Sequence, residues 1–433
     1  ELETVRRARG DLPDDQPRDS TVTVRYRVEE GSPRLVWGRV GYRTSAGAVA
    51  EGHWVHRNAF GGARSLTVSG VVETGWGAIE TIEARRYGLS FALRQPFLGH
   101  RRLSLSVAPF GRFRDDFRDE SVELGFETGL IYQIDALRHV SLRHEIGQRR
   151  LRDVVQLGPV AERVAAGDSA YATTFVTSAL SLVASYGRLD DRLSPRSGYL
   201  VRPILSISGP FGIGDVTYAR AAVEALAAVP LGGEVSLVLR GSAGRLFPRG
   251  ESDPPVGSPR TRALAGLRGV MFTLGGTGDV RGWSRELLGS KIPDLADPAA
   301  GTVDAARYLP AGGLARLSGQ VELMLPFPGL GPRHRTFAFF DSGRLWSPGS
   351  RFDPADPELV SETWQHAVGG GIELGTLVGP VRVGVGYKVD PTPIDLRDAG
   401  DVAAALAAGV PLTSVPASDR RRWRLHLSIG RSL

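Results

Sequence analysis

Three residues in the second half of the chain carry the strongest chemical signal. Arg281 stands at the tip of the glycine-rich run Gly275-Gly276-Thr277-Gly278-Asp279-Val280-Arg281-Gly282-Trp283, and two carboxylates, Glu322 and Asp341, follow it. The segments Gln320–Pro326 and Phe339–Gly343 alternate in polarity and are joined by a Pro/Gly turn. They therefore read as a hairpin with Glu322 and Asp341 roughly opposite each other on one face. Carboxylates that close repel unless a cation joins them. A guanidinium able to reach both would fix a long loop against the wall of a sheet. The competing reading of Arg281 is a solvated surface arginine, because most arginines are exposed.

Other chemistries have weaker support. Gly276-Thr277-Gly278-Asp279 resembles part of a phosphate loop, but no Gly-Lys-Ser/Thr follows it and no helix is expected there. His53 and His56 lie three apart in an expected strand, so they face opposite sides and do not share a metal. Asp353-Pro354-Ala355-Asp356 reads as turn chemistry, and Gly167-Asp168-Ser169 is a lone tripeptide. With no cysteine, thiolate metal sites and disulfides are excluded. No catalytic residue, metal site or cofactor is expected, and the chain does not read as an enzyme. The net charge of +6 comes almost entirely from arginine, Lys291 and Lys388 being the only lysines. Aromatics do not interleave with a basic patch, so nucleic acid is not an expected partner.

The elements that must position Arg281 and its acids are β-strands. The chain has 433 residues with 55 Gly and 28 Pro, and its mean hydropathy is -0.11. It lacks an apolar run of about 18 residues, which excludes a transmembrane helix but not a membrane β-barrel, whose strands need only about 9 to 11 residues. Period-2 alternation recurs, as in Leu103–Val107, Val381–Tyr387 and Trp423–Ile429. Expected strands span 34-42, 47-57, 64-74, 79-94, 101-112, 120-133, 136-147, 171-187, 198-208, 215-229, 233-247, 314-325, 334-346, 364-375, 379-389 and 421-431. The total of about sixteen is even, as single-chain bacterial barrels require. Links after even-numbered strands are mostly short. The long ones, 148-170, 248-313, 347-363 and 390-420, follow odd-numbered strands, which is the pattern of outer-membrane barrels with long loops outside the cell. The fold expected is all-β, a transmembrane antiparallel barrel over 32-433 with a lumenal loop at about 248-313. The first residues differ: 1-20 are charged and aperiodic, and 21-31 read as one alternating strand and a turn. The start at Glu1, without methionine or signal peptide, suggests a processed or shortened chain.

Val280-Arg281-Gly282-Trp283 and Phe339-Phe340-Asp341-Ser342-Gly343 are similar to the Val-Arg-Gly-aromatic loop tip and Phe-x-Asp-x-Gly strand motif of the BamA/TamA superfamily, the bacterial surface antigen type of barrel. Asn58–Gly62, Asp190–Gly198, Gly379–Arg382 and Leu425–Gly430 also fit. Two features depart from it: Trp283 stands where Tyr is common, and the chain ends in Leu433 rather than an aromatic, which bears on a C-terminal insertion signal. The resemblance implies that 1-31 is an N-terminal tail and, at 21-31, the last strand of a periplasmic POTRA module. It implies a lumenal motif of Gly276, Val280, Arg281, Gly282 and Trp283 resting on Glu322, Phe339, Asp341 and Gly343 of the wall. It further implies a weakly paired seam between the first and last strands, at Gly38, Gly41, Trp423 and Gly430, opposite that cluster. The glycines would let the seam bend, or are ordinary strand-end features. The implied function is assembly or translocation of outer-membrane proteins, by templating substrate strands at the seam. The alternative is a passive pore, or the barrel anchor of a longer protein such as a two-partner secretion transporter or an effector-carrying surface protein. Implied partners are outer-membrane lipid and lipopolysaccharide, unfolded outer-membrane or secreted proteins, and periplasmic or inner-membrane tethers.

Overall fold

The computed structural model describes residues 2–3, 25–26, 31–44, 46–76, 85–116, 119–154, 173–191, 194–253, 261–293, 307–331, 333–347, 357–376 and 379–429. Sixteen antiparallel strands close into one barrel in chain order. They are β1 Arg34–Arg43, β2 Gly47–His56, β3 Ser65–Glu73, β4 Arg85–Gln95, β5 Leu103–Asp116, β6 Asp119–Gln133, β7 His139–Val154 and β8 Thr173–Leu189. The second half continues with β9 Gly198–Ser208, β10 Tyr218–Gly232, β11 Val235–Pro248, β12 Ala315–Pro326, β13 His334–Trp346, β14 Gln365–Thr376, β15 Gly379–Lys388 and β16 Trp423–Ile429. Every strand expected from alternation is present. The main differences are at the ends: β5 and β7 run on to Asp116 and Val154, while β16 starts later because Asp419–Arg422 forms a 3-10 turn.

Alternation decides which face each side chain takes. Along β6 the exposed Leu124, Phe126, Leu130 and Tyr132 share one parity, and along β13 the buried Phe337, Phe339 and Asp341 share the other. Apolar residues thus point outward along β6, while the inward face of β13 carries Asp341 beside two phenylalanines that meet Arg281. Apolar side chains therefore cover the outer face, the inverse of a soluble sandwich. Among the described residues no helix is long and apolar enough to cross a membrane, so crossing falls to the strands. The long links, 155–172, 249–314, 347–364 and 389–422, all leave the same end of the barrel.

Three of those links pack on one another. Leu287, Ile292, Leu309, Leu359, Ile394, Val402 and Leu412 form one buried apolar cluster. A short ladder, Lys291–Pro293 with Tyr308–Pro310, and two helices, α1 Thr261–Arg268 and α2 Ala399–Ala407, belong to these links. Helix α2 begins where the Asp398 carboxylate accepts from Gly400 N at 3.0 Å and continues through an alanine-rich run to Gly409, whose φ of 67° ends it. The links therefore make a folded cap, which strand periodicity does not reveal.

At the N-terminus, Leu2–Glu3 pairs with Arg25–Tyr26. The rest of the 1-31 segment, apart from Gly31, lies outside the described residues, as do Gly167, Asp168, Ser169, Asp353, Asp356, Gly430 and Leu433.

Candidate functional site: a lumenal loop seated beside the seam

Arg281 lies inside the barrel on the wall formed by β12 and β13. Its Nε and Nη2 donate to Asp341 Oδ2 and Oδ1 at 2.7 and 2.8 Å, and its backbone N donates to Oδ2 at 2.9 Å. Nη1 donates to Glu322. The guanidinium also stacks 3.5 Å from the centroid of Phe339. Burial alone would depress the Arg281 pKa, but its bonds to Asp341 and Glu322 outweigh burial and raise it. The acids are not directly opposite. Asp341 pairs in register with Gln320, and Glu322 pairs with Phe339. That diagonal offset opens space for the planar guanidinium to lie between them. Two further arginines complete the set: Arg382 donates to Glu322 at 2.8 Å and lies 3.4 Å from Glu373, while Arg240 is 3.9 Å from Glu322. Three guanidiniums therefore balance three carboxylates. From the other side of the lumen, Ser194 in the β8–β9 turn donates to Glu373 at 2.8 Å.

Glycines let the loop tip lie flat on the wall. A Cβ on Gly386 would stand 2.8 Å from Gly282 N, and one on Gly343 would stand 2.8 Å from Val280 Cγ2. Gly282 itself has φ 99° and is flanked by Ala367 and Lys388. This close approach carries the tip past β13 to the last strand, where Gly282 N donates to His426 Nε2 at 3.1 Å. The expectation of a seam opposite the cluster is therefore corrected. Only β14 and β15 separate β13 from β16, about three strand spacings of roughly 4.8 Å. A lumenal cavity of about 310 Å³ makes the same point, being lined by Arg281, Gly276 and Asp279 of the loop and by Arg43 and Ser428 of the seam.

Trp283 ties the tip to the cap. Its indole donates to Asp395 at 3.0 Å, and Asp395 also receives Lys291, Gln365 and Thr392. Burial would raise the Asp395 carboxyl, but the ammoniums of Lys291 and Lys388 beside it prevail and hold it below the usual carboxylate range. Lys291 is bonded to this carboxylate, while Lys388 nearby donates to Arg421 O at 2.9 Å. Sequence reasoning singled out the lysines for their scarcity and placed Arg382 and His426 in family-like motifs without a role, but missed Asp395 and Glu373. The rarity of lysine in an arginine-rich chain was the available signal for Asp395.

The glycine-rich run is not arranged as a phosphate cradle. Gly276 N donates to Val280 O at 3.3 Å and Asp279 N to Gly276 O at 3.2 Å, so two of the donors a phosphate would need are turned inward. Burial pushes the Asp279 carboxyl up to about 6, against the pull of Arg316.

The first and last strands meet sparingly. Among the described residues β1 and β16 share two register pairs, Tyr42 with Ile429 and Arg43 with Ser428, where β1 and β2 pair along the whole of Arg34–Arg43. One further bond runs from Thr44 N to Leu427 O at 3.1 Å. Gly41 pairs with Val49 on β2, and Trp423 is 60% exposed on the outer face. A Cβ on Gly38 would lie 2.8 Å from Glu51 O, so close backbone approach to β2 explains glycine there.

Residues 58–400 match the model of the Omp85 superfamily domain. Among solved structures, BamA from Haemophilus ducreyi lacking POTRA domains 1-3 superposes with a TM-score of 0.69 at 15% identity, over 99% of this chain and 74% of that one. CdiB from Escherichia coli gives 0.49 at 13% identity over 94% and 64%, and CdiB from Acinetobacter baumannii 0.46 at 12% over 92% and 59%. No curated protein matches the chain.

Proposed function

This chain belongs to the Omp85 superfamily and is a barrel of the bacterial outer membrane, and from that premise we propose that it assembles other outer-membrane proteins by templating their strands at its β1–β16 seam. The observation that carries this reading is that, among the described residues, β1 and β16 share two register pairs. An edge with unpaired N–H and C=O groups accepts an incoming strand by backbone hydrogen bonding. Lipid tolerates only closed ladders, so a strand added at the seam is driven to continue pairing until it closes into its own barrel. No chemical step or cofactor enters this mechanism. The segment upstream of Arg34 belongs, on this reading, to a POTRA module that delivers substrate.

The loop supplies the restraint. Asp341 and Glu322 hold Arg281, and His426 receives Gly282, so β16 is tied to a rigid wall while its outer edge stays open. The folded cap and the lumenal loop occupy the space that a passive pore would need, which favours assembly over free conduction.

Vesicles carrying the protein, supplied with a urea-unfolded outer-membrane barrel precursor, test the proposal. Faster appearance of folded, membrane-embedded precursor than in empty vesicles is the expected result. Precursor delivered as soluble, protease-protected chain inside the vesicle would instead mark a secretion transporter, and no difference from empty vesicles would remove both readings.

A further inference from the structure

The outer wall of β11 to β13, near the end from which the long links leave, has a second built feature. Odd-numbered residues of β11 and β12 and even-numbered residues of β13 face outward there. Register sets Arg245, Ala315 and Trp346 in one row, and Ala243, Leu317 and Arg344 in the next. The two alanines leave the wall thin, and an apolar groove of about 830 Å³ opens over them.

Arg245 and Trp346 line this groove, and Arg344 stands beside it, two strands and one row from Arg245, roughly 12 Å backbone to backbone. Each arginine is braced by an aromatic ring of its own strand: Arg245 stands 4.9 Å from the centroid of Phe247, and Arg344 4.7 Å from that of Trp346. Such rings belong to the girdle that marks a membrane interface. Among the described residues neither arginine has a carboxylate within ion-pair distance, and Arg344 Nε is buried without an acceptor. On the same rim Arg85 is neutralised by Asp115 at 2.9 Å and Arg152 by Glu120 at 3.1 Å. Two uncompensated cations beside an apolar groove in a lipid-facing wall call for an amphiphile with an anionic head.

We infer that this groove binds a phosphate-bearing glycolipid of the outer leaflet, its acyl chain over Ala243 and Ala315 and its phosphate between Arg245 and Arg344. The apolar floor selects a lipid over a free anion, and the position at the long-link end selects the outer leaflet. The inference rests on the barrel and its orientation, not on strand templating, so either can fail alone.

Native mass spectrometry of the protein in zwitterionic detergent, titrated with lipid A, provides the test. Wild type should retain one lipid A. Retention should fall about tenfold in the Arg245→Gln, Arg344→Gln double variant. It should fall comparably in Ala315→Trp, which fills the groove and keeps both charges, and should be unchanged in Arg85→Gln. Equal retention by the double variant or by Ala315→Trp would overturn the inference. So would equal binding of dephosphorylated lipid A, or displacement of lipid A by inorganic phosphate at the same concentration. If the double variant does not give a heat-modifiable folded barrel, Ala315→Trp decides alone.

Discussion

Among the described residues Asp341 is hydrogen-bonded by Arg281, whereas Glu322 is shared with Arg382 and Arg240. The two acids therefore respond differently to loss of the arginine. Arg281→Ala leaves Asp341 as a buried, uncompensated charge, and the expected cost is about 3 to 5 kcal/mol. Denaturant unfolding in micelles measures it, with Arg101→Ala, in an exposed turn, expected to behave like wild type. A pH effect belongs to Asp279. Its carboxyl is raised from 3.8 to about 6, so the folded state holds its proton where the unfolded chain releases it. Stability should then fall as pH rises from about 4 to about 6, and Asp279→Asn should flatten that part of the profile. Arg281 and its two acids were legible in the sequence because like charges at alternating positions demand a cation. The roles of Arg382, Glu373 and His426 were not, since each acquires its partner only when the barrel closes, although Arg382 and His426 stood within motifs similar to the family's.

The loop between β11 and β12 acts as a strut between two parts of the wall. Val280 and Arg281 meet β12 and β13, Gly282 meets β15 and β16, and Trp283 meets the cap. His426→Phe keeps an aromatic at the β16 contact but removes the acceptor for Gly282 N. Amide exchange across β16 is expected to quicken in that variant while β12 and β13 keep wild-type protection; uniform protection throughout would separate the loop from the last strand. Strands were readable at this scale because period-2 alternation is local. Helix α2 and the cap were not, because a long link has no imposed period. Asp398, the alanine run and Gly409 carried a helix signal that a search for alternation passes over. Strand-by-strand reading also missed that the cluster and the seam are neighbours, because chain order places the 389–422 link between β15 and β16 while the ladder keeps them adjacent.

Among the described residues, the whole molecule combines a wall paired along nearly every strand with a loop and cap that fill it and one joint, β1–β16, that shares two register pairs. Fifteen of the ladder's contacts join strands consecutive in sequence, and the sixteenth joins its two ends. Closure entropy falls on that last junction, since β1 and β16 are separated by nearly the entire chain. The even strand number, the sorted link lengths and the outward apolar parity were all visible in the sequence, and together they gave the barrel; the extent of pairing at the joint required the register. The central claim is that this joint must part for the protein to work. The chain has no cysteine, so Tyr42→Cys with Ile429→Cys, a directly paired position, introduces a lone disulfide across the seam. Assembly of an unfolded barrel precursor into vesicles should stop when this pair is oxidised and resume on reduction; oxidised and reduced protein assembling precursor at the same rate would contradict the account.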